Sequence, residues 1–453
     1  MESENLDIAR FKWCWHESCE QNLVITHKYP ALPAWMHEAP AKSKKGGRKM
    51  TPTKNRWYLL IAMFIINLCV GSAYAWSVFQ KPLISLFQWS TSDTSLAFSI
   101  SLFVIPLAMI VGGRIQPQRG PKFLMFTGGI IFSSGIIAAG FTHSLLFLYM
   151  TYGVMSGFGI GFIYGTGISN AVKWFPDKRG LAAGLVAAGF ALGAVINAPI
   201  ANMLVLEYGV LKTFQFLGVA YLVVTVISAQ FVSAPPAGYA PAGWAAPVAG
   251  VAGAPRDKEW TEMVRDPLFY VLWLMYTIAC VSGLMIIGHA SPIGQEVIKL
   301  DAVTAAFAVS MMALANTAGR VLWGISSDRL GQYPTLVTMF VLSAVMMAML
   351  NYVHSLTPFV LVISVIAACF GGFFAIFPSI TADLFGAKNL SMNYGILFTS
   401  YGVAAFIGPR LAARVKEINN GDYTVAFVTA AMMCVVAVLL TFFARWKSKR
   451  LRL

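Results

Sequence analysis

Arg320 lies in residues 302–327, an apolar stretch with no other charged residue, bounded by Asp301 and Asp328. A guanidinium at membrane depth costs at least about 2.5–3.5 kcal/mol on insertion scales. A chain that keeps one there uses it to hold something negative, and the neighbouring apolar stretches offer almost no carboxylate. The expected partner is an anionic ligand, a carboxylate held through both arms of the guanidinium fork. The competing role is structural, a partner to helix-end carbonyls. Asp328 stands about 12 Å further along a helix, at 1.5 Å per residue, which puts Arg320 deeper than a loop residue. Asn316 comes one helical turn earlier on the same face, so its amide can donate to the same carboxylate or to a hydroxyl beside it.

Few other groups can do chemistry. Asp93, Glu207, Glu296 and Asp301 fall between apolar stretches, and Asp383 falls near the end of one. None is placed as an intramembrane proton carrier. His289, near the end of its stretch, is the one titratable side chain whose ordinary pKa suits proton coupling, although a helix-end His also serves as a plain hydrogen-bonded residue. Symport with protons and exchange of one anion for another therefore both stay open. Arg410 and Arg414 could form an electrostatic funnel for anions or anchor their helix at lipid headgroups. No nucleophile–base set, metal cluster or phosphate loop is present, so the expectation is a non-enzyme with no cofactor and no metal. Cys14 and Cys19 flank His16, too few ligands for a metal site. Cys69, Cys280, Cys369 and Cys434 lie in apolar stretches and read as small packing residues.

The elements that must position these residues are transmembrane helices. The chain is 57% hydrophobic and 11% charged, with a mean hydropathy of +0.67, whereas soluble domains carry about 25% charged residues. Twelve apolar stretches, near 57–79, 94–114, 123–141, 145–170, 180–203, 212–232, 268–290, 303–326, 335–353, 357–378, 393–415 and 424–444, can each cross ~30 Å of hydrocarbon. The fold class expected is an all-α membrane protein of twelve transmembrane helices. The net charge of +14 does not point to nucleic acid. Lys and Arg gather in the two tails and in alternate connections, around Arg114–Lys122, Lys173–Arg179, Arg256–Arg265, Arg329 and Lys388, with Lys416 as an exception. This positive-inside pattern places both termini in the cytoplasm of a multi-pass protein of the inner (plasma) membrane.

The connection 233–265 is rich in Pro, Ala and Gly and cannot build a core, so it reads as a cytoplasmic linker ending in a charged stretch able to form a surface helix. It divides the chain into bundles at 50–232 and 266–453. Residues 1–49 contain no spanning stretch and read as a disordered extension, or as upstream of a true start at Met50. The halves repeat. GGRIQPQRGPK (112–122) and GISSDRLGQ (324–332) place their closing glycines, Gly120 and Gly331, about 210 positions apart, and Lys178 and Lys388 repeat that spacing. A duplicated six-helix unit with its ligand between the halves is how many secondary transporters are built.

The run G-x-x-x-D-R-x-G at 324–331, with Gly324, Asp328, Arg329 and Gly331, resembles the signature loop of the major facilitator superfamily. Its expected work is to turn tightly and to let Asp328 cap a helix or pair with a base across the two halves, as a conformational switch. Pro117 holds the matching position in the first half and weakens the latch on that side. GSAYAW (71–76), KWFPDKRGLAAG (173–184), N-x-x-G-R (316–320) and FPSITADLFGAKNLSMNYG (377–395) together resemble the oxalate–formate antiporter family, from about residue 50 to the C-terminus. That family includes bacterial carriers of lactate and pyruvate.

The resemblance implies that Arg320 is the substrate arginine and that Tyr74 and Tyr164 face the cavity, with Trp76 as a gate or packing residue. Oxalate carriers of the family have a lysine after N-Y-G, where this chain has Tyr401. One buried cation suits one carboxylate, since a dianion would leave charge uncompensated. The expectation is a monomeric carrier of small monocarboxylates (lactate, pyruvate or formate), with or without protons. The alternatives are an oxalate:formate-type dicarboxylate antiporter and, from another class, a carrier-like ligand sensor.

Overall fold

The computed structural model describes residues 55–244, 257–419 and 423–450. The N-terminal extension and its Cys14–His16–Cys19 grouping lie outside them. All regular structure among the described residues is helical. Apolar runs of this length leave the backbone no partner in lipid except its own helix.

The first segment, α1 (Arg56–Phe87), bends through a 3-10 turn at Gly71–Ala75. Next, Thr91–Ala139 forms a single 49-residue run interrupted at Gly120, whose φ of 78° and ψ of 167° are non-helical. That break divides it into α2 (91–119) and α3 (121–139). The remaining segments are α4 (Leu145–Trp174), α5 (Arg179–Tyr208), α6 (Val210–Ala229), α7 (Pro267–Glu296), α8 (Ala302–Leu330), α9 (Gln332–Met349), α10 (Leu356–Phe385), α11 (390–418, as Leu390–Leu397 and Thr399–Ile418) and α12 (Thr424–Arg450). Among the described residues eleven helices are long and apolar enough to cross a membrane, and the break at Gly120 makes the crossings twelve.

The boundaries depart from expectation in three places. Phe398 interrupts α11, and α4 opens with π-helical turns over Tyr149–Ser156. The basic residues Arg445, Lys447, Lys449 and Arg450 continue α12 rather than forming a tail. The repeat is visible in the backbone. Gly331, with φ 91° and ψ 155°, takes nearly the conformation of Gly120, in a region essentially open to glycine alone. Large apolar side chains such as Leu206 and Val303, each 80% exposed, coat the outside of the bundle, as lipid contact requires.

The connection between α6 and α7 defines one end of the molecule, the linker face. Its first part is pinned at Ser233, whose carbonyl accepts from Trp174 Nε1 at 2.8 Å and Asn170 Nδ2 at 3.1 Å. Its last part rests on the α10–α11 turn, where Asp257 Oδ1 accepts from the Lys388 amide at 3.0 Å. The charged stretch forms a short helix, Trp260–Arg265, closed by a capping box between Glu259 and Glu262. Asp266 caps α7; burial pushes its carboxyl up, but the Lys258 bond at 2.7 Å and the Leu268 amide hold it below the ordinary value.

Candidate functional site

At the linker face the two halves touch, beside a surface cavity of about 820 Å³ that includes Gln116, Lys173, Arg179, Tyr239 and Lys388. Asp328, at the end of α8, accepts from the amides of Gly180 and Leu181 at the start of α5, both at 2.8 Å. A Cβ on Gly324 would meet the Gly180 carbonyl, so the two helices touch backbone to backbone. Arg179 pairs with Asp383, which also accepts from the Gln332 amide. Lys173 Nζ donates to the Lys388 carbonyl at 3.0 Å. On the other side α2 meets α11, where a Cβ on Gly395 would lie 3.0 Å from the Ile110 amide nitrogen. Pro117 supplies no counterpart to the Asp328 cap. Arg329 is exposed.

Away from these contacts, a cavity of about 590 Å³ is lined by residues of both halves, from Arg320 out to Arg410. Arg320, Asn316, Tyr74 and Tyr401 line it together, along with apolar residues of α2, α5, α7 and α8. Three glycine contacts fix α8 in depth. A Cβ on Gly184 (α5) would strike the Arg320 carbonyl, one on Gly319 the Ala368 carbonyl, and one on Gly371 (α10) the Asn316 carbonyl, with Arg320 Cγ at 3.1 Å. Close approach of small residues is the usual way membrane helices lock.

Arg320 is 1% exposed. Its Nε donates to Asn316 Oδ1 at 3.2 Å, one arm donates to the Ala187 carbonyl of α5 at 2.8 Å, and its centre stacks 4.7 Å from the Phe374 ring. One arm thus bonds a carbonyl inside α5, not the helix-end carbonyls weighed from sequence. Among the described residues Arg320 has no carboxylate partner. The Tyr74 and Tyr401 hydroxyls bond at 2.7 Å, joining α1 to α11 beside the guanidinium. Tyr164 does not line the large cavity. It borders an adjoining void of about 10 Å³ shared with Arg320, Tyr74, Tyr401 and Phe374, and its ring packs against Phe190 and Phe398 at 5.3 and 5.5 Å.

The other sequence candidates, Arg410 excepted, lie elsewhere. His289 is half-buried; its Nδ1 is 3.1 Å from the Met285 carbonyl and its ring meets Tyr423 edge-on at 6.1 Å, and it is not among the cavity's lining residues. Arg410 does line the cavity, exposed, with its guanidinium 4.9 Å from the Phe406 ring. Arg414 is exposed and pairs with Glu417. Trp76 packs on Tyr152 at 4.5 Å, away from the cavity. Sequence reasoning missed Tyr276 and Tyr394, whose hydroxyls are 3.2 Å apart, and Phe374 and Phe398, which complete the aromatic shell. Of these only Tyr394 carried a sequence signal, as the tyrosine of N-Y-G at 393–395.

A buried guanidinium in a cavity lined by both halves is an arrangement able to hold an anion. The comparisons with known proteins agree with that geometry. The Major Facilitator Superfamily model matches residues 57–324 and 290–452. An MFS-type transporter of Escherichia coli (strain K12), YhjX, is 31% identical over 360 residues, covering 79% of this chain and 88% of that protein. The oxalate:formate antiporter of Oxalobacter formigenes is 29% identical, with coverages of 86% and 91%. Monocarboxylate transporter 12 of Homo sapiens is 23% identical, with coverages of 91% and 86%. In three dimensions the transporter FucP in its outward conformation superposes with a TM-score of 0.67 at 10% identity, over 85% of this chain and 98% of that one, which bears on the fold alone. The chain is a multi-pass transporter of the major facilitator superfamily, with an oxalate:formate antiporter and monocarboxylate transporters among its relatives.

Proposed function

We propose that the protein carries small monocarboxylates, of the lactate, pyruvate or formate type, by alternating access across the inner (plasma) membrane. The observation that carries this is Arg320, buried at the cavity base without a carboxylate partner among the described residues. Tyr401 stands beside it where a second cation would serve a dianion. Arg320 and Asn316 hold the carboxylate, Tyr74 and Tyr401 close over it, and Tyr164 backs the shell. The linker face and both termini are cytoplasmic, which makes the present state outward-open. The loop Gly324–Asp328–Arg329–Gly331 switches it, and the carrier works as a monomer.

Labelled lactate uptake into proteoliposomes tests this. Accumulation driven by an inward proton gradient supports symport and makes His289 the residue to probe. Uptake that needs preloaded carboxylate supports exchange. Absence of uptake in both formats refutes the lactate-type reading. A second reading, a dicarboxylate antiporter of the oxalate:formate type, is favoured by Arg410, which lines the same cavity; oxalate uptake exceeding that of lactate would establish it.

A further inference from the structure

Arg320 lies at the foot of a graded wall. Along α8 the cavity is lined in turn by Arg320, Asn316, Met312 and Val309, successive turns of one face. Side chains of a helix lean toward its N-terminus, and α8 runs from the open face to the linker face. The guanidinium therefore rises to the level of Asn316, as their 3.2 Å bond shows. Above that level the lining turns apolar, with Met312 and Val309 from α8, Leu284 and Ile287 from α7, and Phe98 and Leu102 from α2. Ser99, the polar residue on this stretch of α2, is turned to its own helix, 3.4 Å from the Ser95 carbonyl. The next cation, Arg410, stands about 13 Å further along α11 than Tyr401, counted at 1.5 Å per residue.

A formate or lactate ion on Arg320 would touch the polar floor and leave these walls to water. The cavity volume, about 590 Å³, lies in the range of ~300–1,000 Å³ that encloses much larger ligands. A second carboxylate placed midway would face alkyl groups with no donor, a costly burial. We infer that the site favours monocarboxylates with an unbranched apolar tail of about three to five carbons beyond the carboxylate, whose tail occupies the Met312–Val309–Leu284–Ile287 wall. This rests on Arg320 as the carboxylate site proposed above and specifies what the carboxylate is attached to.

The test is calorimetric titration of the purified full chain in nanodiscs with acetate, propionate, butyrate, valerate, hexanoate and adipate, and with hexanamide. Empty nanodiscs correct for partition into lipid. The expected result is a Kd that falls up to about fourfold per added methylene, the ratio that ~0.8 kcal/mol per buried CH₂ corresponds to. Hexanamide binds at least tenfold more weakly than hexanoate, and Leu284→Asn flattens the chain-length slope. A flat series that is still lost on Arg320→Ala overturns the tail inference and leaves the carboxylate site standing. A rising series shared equally by hexanamide and insensitive to Arg320→Ala overturns the carboxylate site itself. Adipate tighter than hexanoate overturns the inference in favour of a dianion bridging Arg320 and Arg410.

Discussion

The contact most open to a quantitative test is the Asp328 cap. Its carboxylate accepts from two amides of the opposite half, Gly180 and Leu181, both at 2.8 Å. Asp328→Asn keeps one acceptor and turns an NH₂ group toward the second amide, while removing the negative charge from the start of α5. One charge-assisted bond and its helix-terminus contribution amount to about 1–3 kcal/mol. Opening the linker face separates α5 from α8, so the loss falls on the closed state. The closed-to-open ratio should drop about 5- to 150-fold. Met109→Cys reports on it, since Met109 is 1% exposed and packs on Gly165 and Gly395 where α2 meets α11. With Cys14 and Cys19 replaced by Ser in both backgrounds, labelling by an impermeant maleimide from the linker face should speed up at least fivefold in Asp328→Asn. An unchanged labelling rate alongside a lowered melting temperature would refute the argument, because Asp328 would then stabilise both states alike.

Arg320→Ala removes two charge-assisted bonds to the ligand, at about 1.5–3 kcal/mol each; carboxylate affinity should fall at least about 100-fold while the protein remains monodisperse in size-exclusion chromatography. Tyr401→Lys breaks the 2.7 Å bond to Tyr74 and sets an ammonium beside Arg320; oxalate should become an effective competitor of uptake, and an unaltered competition profile would tell against the position assigned to Tyr401. Asp177 bonds Arg56 at 2.5 and 2.9 Å; burial raises its pKa, but the Arg56 guanidinium more than reverses this, holding the carboxyl below its ordinary value. A depressed carboxylate contributes stability above its unfolded pKa of about 3.9 and loses it as pH falls through the lower folded value. The melting difference between wild type and Asp177→Asn, worth up to about 1 kcal/mol for a half-buried pair at the surface, should be full at pH 7 and vanish in acid.

Much of the architecture was readable because the bilayer imposes length, and charge is expensive inside it. The twelve crossings follow from hydropathy, and Arg320 stands out as the lone charge between Asp301 and Asp328. The signature loop announced Asp328 and Gly331, and the 210-residue spacing announced Gly120. The cavity walls were much less legible. A transmembrane helix is apolar on every side, so Phe374, which stacks on Arg320, and Phe443, which is 44% exposed, look alike in sequence. Soluble helices reveal their core by periodicity, and that signal is absent here. Tyr276 and Tyr394 were missed for this reason. Trp76 was open between gating and packing because indoles suit both. The kink at Phe398 and the π-turns of α4 have no local residue signature, since tertiary packing sets them. The Ala187 carbonyl on Arg320 could not be foreseen either, because backbone partners across two helices leave no trace in side-chain types.

A guanidinium with no carboxylate partner among the described residues also has an electrical consequence. With a monoanion on Arg320 the site is neutral; emptied, it carries a full positive charge within the bilayer. Voltage therefore acts on the return of the empty carrier and not on its loaded passage. A charge crossing the whole field is worth about 2.3 kcal/mol per 100 mV; one that merely changes sides of a rocking barrier feels a part of it. A potential negative inside would hold the empty site facing the cytoplasm, whereas one-for-one exchange of monoanions, which never passes through the empty return, would be indifferent to it. Uptake measured against clamped potassium-diffusion potentials should separate the two, and equal voltage dependence in both modes would mean that Arg320 is compensated when empty.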